Sequence, residues 1–125
     1  MPVRVLPDAE LVLINFLAGH ADVLALLGSA DRVGSYLPTD RPYLQVNRVG
    51  GTPDVEEDHP VLQVSAWHTS DDAASELARV VVSVLPDILS GTVRGQNVTL
   101  GPFSQPDEDN QRYILTLELL TYPED

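Results

Sequence analysis

The sequence predicts an α+β domain: a mostly antiparallel or mixed β-sheet of about five strands, packed by one long helix and an N-terminal helical segment. Three observations predict it. Residues 43–49 and 61–68 alternate apolar and polar side chains with a period of two, the mark of strands buried on one face. Ala74, Leu77, Ala78, Val81, Val84 and Leu85 fall instead at helical spacing, as the apolar stripe of one helix. The order of elements, helices then three strands, a long helix and two more strands, suits helices packed on a mostly antiparallel sheet.

Pro7 and Asp8 precede residues 9–18, where Leu11, Ile14 and Leu17, with Phe16, recur at helical spacing before Gly19. Acidic residues at this start favour a helix through its dipole. A second short helix over residues 21–27 stops at Gly28. Residues 32–37 read as a weak short strand ending at Pro38, and residues 38–42 as a turn.

After the strand 43–49, residues 50–60 bring two glycines, two prolines and the carboxylates of Asp54, Glu56, Glu57 and Asp58. They read as a long exposed loop. In the next strand Leu62, Val64 and Ala66 take one face, and Val61, Gln63, Ser65 and Trp67 the other. Thr69 or Ser70 caps the long helix, Asp71 and Asp72 sit where its free N–H groups point, and Pro86 ends it.

Residues 92–100 read as a strand with a bulge or kink near Gly95. Residues 101–111, with Phe103, Asp107, Glu108 and Asp109, form a second acidic, proline-bearing loop, and residues 112–121 the closing strand. Loops held by a rigid scaffold are where recognition concentrates. No repeat or linker divides the chain, so residues 1–125 make one domain.

A formal net charge of −12 repels phosphate backbones and anionic membrane surfaces, which weighs against sequence-reading nucleic-acid binding. All seven basic residues are arginine, spread along the chain instead of forming a stripe. Arginine suits bidentate pairing with carboxylates across protein surfaces, and a GC-rich genome explains the same usage. Without cysteine there is no disulfide framework or thiolate nucleophile. No apolar run approaches the roughly 20 residues of a membrane helix, and the start lacks the pattern of a secretory signal. The chain is expected to remain in the cytoplasm unless something larger carries it out.

The residues offer little for catalysis. His20, His59 and His68 have no second ligand at helical or hairpin spacing; His68 with Asp71 and Asp72, and His59 beside Asp58, are the nearest metal candidates, against surface and helix-start readings of the same residues. No nucleophile elbow or phosphate-binding glycine loop occurs, and the chain has no lysine. The loop carboxylates lack calcium-loop spacing and are solvated by default, although charged loops also select partners. No enzyme activity, metal or cofactor is expected. Trp67, the sole tryptophan, is either a packing contact under the long helix or an interface anchor, and Phe103, inside a loop of Gly, Pro and Ser, is an interface candidate against a local packing contact.

Residues 7–10, 41–51, 60–67, the alanine-rich helix from Asp71 and residues 112–119 together resemble the small tail terminator, or tail completion, proteins of siphoviruses, particularly those infecting actinobacteria. The resemblance implies a homo-oligomeric ring, usually a hexamer, at the head-proximal end of the virion tail. Such a ring stops polymerisation of the tail tube protein and presents a surface to the head-tail connector or stopper protein, while DNA passes through its lumen without specific binding. The interface candidates are Asp54, Glu56, Glu57, Asp58, Phe103, Asp107, Glu108 and Asp109, with Arg48, Arg94 and Arg112 as opposing charge on an adjacent copy. Competing readings are another neck component, a head-completion or connector protein, and a small carboxylate-dependent hydrolase.

Overall fold

The computed structural model describes residues 5–54, 56–108 and 110–123. The two apolar helical segments come first: α1 (Ala9–Gly19), capped by the Asp8 carboxylate on the Leu11 N–H at 3.2 Å, and α2 (Ala21–Leu27), capped by the His20 ring on the Asp22 N–H. Because α1 is apolar nearly all round, periodicity alone does not choose its buried row. Ala9, Leu13 and Leu17 face the core, while Leu11 is half exposed, contrary to its expected place in the stripe.

A 3-10 turn (Ala30–Arg32) leads into β1 (Val33–Gly34), only two residues long where a strand over 32–37 was expected. It pairs parallel to β2 (Tyr43–Gly50), and the chain then runs antiparallel through β3 (Val61–His68). The long helix α3 (Asp71–Val84) follows, its N-terminus capped by Ser70 on the Ala73 N–H at 3.3 Å. A 3-10 turn (Leu85–Ile88) carries Pro86 and ends the helical run. The hairpin of β4 (Val93–Ser104) and β5 (Gln111–Thr121) completes a mixed five-stranded sheet in the order β1-β2-β3-β5-β4. The α+β class, with a helix packed on the sheet, is the one the sequence predicts.

The core lies between one sheet face and the helices. Leu44, Val46, Leu62, Val64, Ala66, Leu115, Leu117 and Leu119 alternate onto that face and are fully buried with Leu77, Ala78 and Val81 of α3. The stripe expected on α3 is the buried one. Two polar ties fix the helical arm: Glu10 of α1 accepts the edge N–H of Arg48 in β2 at 2.8 Å, and His20 Nε2 meets Asp87 at 2.9 Å.

Two loop expectations are corrected. Strand β4 continues through Gly101, Pro102, Phe103 and Ser104, leaving only residues 105–110 as the hairpin turn. Its register shifts at three places, Gly101 adopts φ 84°, and Pro102 sits on the sheet's edge strand, where a missing N–H costs no ladder bond. At the other end, Asp58 bridges Thr121 through two backbone bonds of 2.9 Å and the Leu119 N–H donates to the Pro60 carbonyl, so residues 58–60 extend the pairing towards β5. The exposed part of that loop is residues 51–57, within which Val55 lies outside the described residues.

Candidate interaction surface

Strand register fixes what the second sheet face carries. Opposite the core face stand Gln45 and Asn47 of β2, Gln63, Ser65 and Trp67 of β3, and Arg112, Ile114, Thr116 and Glu118 of β5, with Leu100 and Phe103 of β4 beside Thr116 and Ile114. The helices pack on the core face. The strap of residues 35–42 folds onto this one, tied where Asn47 Nδ2 donates to the Ser35 carbonyl at 3.1 Å.

Trp67 stands on this face at the end of β3 and is 1% exposed. Its indole N–H donates to Gln45 Oε1 at 3.1 Å, and its ring lies under two guanidinium groups, Arg112 at 4.8 Å and Arg41 of the strap at 5.6 Å. Both distances are within cation–π range. Trp67 is thus packed, as one of its two readings had it, but beneath two arginines and not under the long helix. Sequence spacing did not bring Arg41 forward; the Arg41-Pro42-Tyr43 entry into an alternating strand was the available signal.

Exposed apolar side chains border this surface. Leu100 and Phe103 are 58% and 37% exposed, and Tyr36 and Leu37 of the strap are 82% and 69% exposed. Phe103, expected inside a loop, instead lies in β4 opposite Ile114.

The two acidic segments lie at opposite ends of the sheet. Residues 51–57 leave the end of β2, near Val93 and Thr121, whereas residues 105–110 join β4 to β5 beside the start of α3. With 11 residues in β5 at about 3.3 Å each, the two lie roughly 35 Å apart.

At the first end the expected residues are partly used within the chain. Arg48 grips Asp58 with Nη1–Oδ2 at 2.6 Å and Nη2–Oδ1 at 2.8 Å, and its remaining N–H groups donate to the carbonyls of Gly50 and Gly51. The Asp58 side chain is only 3% exposed, so the expectation of a solvated contact carboxylate fails there, and Arg48 finds its opposing charge without an adjacent copy. That hydrogen bond, ahead of the coulombic attraction, holds the Arg48 guanidinium more firmly protonated than usual, against the cost of burial. Arg94 stacks on Tyr122 at 4.5 Å, and Glu57 beside the Tyr122 hydroxyl raises the phenol pKa above 10.0. His59 stands 3.7 Å from Glu57 and 3.5 Å from Glu118, at the rim of a shallow concavity of about 300 Å³ with Asn97 and Leu120. Glu56 is exposed, and the Asp54 N–H bonded to the Glu57 carbonyl at 2.7 Å closes the loop tip around it.

At the second end Asp107 and Asn110 close the hairpin tip by mutual backbone bonds, with Glu108 at φ 53°. Both acids are exposed, and Asp109 lies outside the described residues. Arg112 anchors this turn through Nε to the Gln105 carbonyl at 2.9 Å. Asp71 receives the hydroxyls of Ser104 and Tyr113. His68 accepts the Thr69 N–H on Nδ1 at 2.8 Å, and burial pushes its pKa below 6.5 against the opposing effect of Glu76. Among the described residues no group of three His, Asp or Glu side chains is placed to hold a metal ion.

No protein-family model matches the chain, and no curated protein matches it.

Proposed function

We propose that the chain is a structural subunit of a tail terminator ring, which caps the head-proximal end of a phage tail tube, stops its polymerisation and offers the head-joining surface. The observation that supports this reading most directly is the one-sided sheet: helices cover one face, and the other exposes Leu100 and Phe103 beside a tryptophan roofed by arginines. Large exposed apolar groups with polar rims mark protein–protein contact surfaces. Loop 51–57 makes one end of the sheet acidic, whereas the other end carries the Arg41 and Arg112 guanidinium groups over Trp67 beside its acidic turn, so the two ends differ. Unlike poles suit head-to-tail, heterologous contacts, which close into a ring when the rotation between copies permits.

In this reading the protein performs no covalent step. Its work is binding: one ring face matches the terminal layer of tail tube protein, and the other meets the connector or stopper. A net charge of −12 keeps DNA from adhering as it passes the lumen.

The test is assembly followed by partner choice. Mass photometry and negative-stain microscopy of the purified chain should show closed rings, and immobilised rings should retain tail tube protein and not portal protein. A monomer under all conditions, or retention of portal protein alone, would move the chain to another neck role.

A further inference from the structure

We infer that the Arg41–Trp67–Arg112 stack is a docking surface for a second copy of this chain, and that its occupant is the acidic loop 51–57, led by Glu56. The inference rests on the ring reading for its biological setting and extends it by naming the two surfaces that meet.

Charge carries it. Two guanidinium groups share one indole ring, and among the described residues no carboxylate lies within ion-pair distance of either. Arg41 Nε is moreover buried without a hydrogen-bond partner. Two cations beside each other, without a carboxylate partner among the described residues, form a locally positive surface in a chain of net charge −12. Loop 51–57 has the complementary character and sits at the other end of the same sheet, roughly 35 Å away, too far to fold back on its own stack. The loop of one copy and the stack of the next can pair repeatedly, a head-to-tail contact that closes into a ring when the rotation between copies permits. Phe103, opposite the buried Ile114 in the next row of the same face, supplies exposed apolar area beside the charges.

Trp67, the only tryptophan, makes the contact directly observable. Titrating a synthetic peptide of residues 50–60 into the full-length protein should change Trp67 emission in a saturable, salt-sensitive way, and the peptide with Glu56→Lys and Glu57→Lys should not. In the protein, Arg41→Gln with Arg112→Gln should weaken self-association roughly tenfold or more while circular dichroism stays unchanged, with Arg→Lys at both sites restoring part of it. Glu56→Lys should weaken assembly as well, and combining it with Arg112→Glu should recover it. Rings that persist undiminished in the double glutamine variant would overturn this contact and leave the ring reading standing. A wild-type chain that stays monomeric would sink the ring reading, and the peptide titration would still decide the contact: an unresponsive Trp67 overturns it.

Discussion

The Arg48 guanidinium and the Asp58 carboxylate, ten residues apart in sequence, close the β2–β3 connection as a two-point ion pair at 2.6 and 2.8 Å, with the carboxylate shut away from solvent. The pair fixes where loop 51–57 leaves the sheet, since the same arginine also binds the carbonyls of Gly50 and Gly51.

Removing one partner strands the other. Arg48→Met should lower unfolding free energy by about 3 kcal/mol, because it leaves a buried carboxylate without compensation. The double variant Arg48→Met, Asp58→Leu should be less destabilised than Arg48→Met alone, since no charge remains buried. Urea denaturation of the wild type, both singles and the double measures the coupling.

The helix–sheet seam gives a second expectation. Leu77 is buried against the sheet, and Leu77→Ala should cost about 2–5 kcal/mol through lost contacts and the cavity left behind. Unchanged melting in that variant would show that the stripe of α3 does not carry the core.

Gly51 adopts φ 85°, and a Cβ there would stand 2.1 Å from the His59 carbonyl oxygen, which is backbone and cannot swing aside. Gly51→Ala should therefore destabilise the fold by about 1–3 kcal/mol from the backbone conformation alone. Gly91→Ala, where a Cβ meets nothing within 4 Å, is the matched control and should leave denaturant midpoints nearly unchanged.

His68 makes stability depend on pH. Its folded pKa lies below 6.5 because burial disfavours the imidazolium, and protonating Nδ1 also ends the bond from the Thr69 N–H. The unfolded chain then takes up the proton first, so this contribution is present above pH 6.5 and is lost as pH falls from there through the folded pKa. Melting temperature should fall less steeply below pH 6.5 in His68→Gln than in the wild type; parallel curves would remove His68 as a source of acid sensitivity.

Elements with a clean period were readable from the chain. Strands β2 and β3 and helix α3 repeat apolar residues at spacings that only one kind of element satisfies. The continuation of β4 through Gly101 and Pro102 was hidden because those residues read as punctuation, and only an edge position with a bulge accommodates them. Asp58 was hidden by its neighbours: in a run of acids nothing local distinguishes the one that meets an arginine. Trp67 was legible as an outlier on the second face, but its two covering arginines come from a strap and a different strand, and no spacing rule joins residues 41, 67 and 112.

Tail length reports the proposed termination of tail-tube growth. Inactivating the gene in its own phage and imaging lysates by electron microscopy should show tails of irregular, extended length detached from filled heads, with normal length restored by the wild-type chain supplied in trans. Tails of uniform wild-type length, already joined to heads, would contradict it.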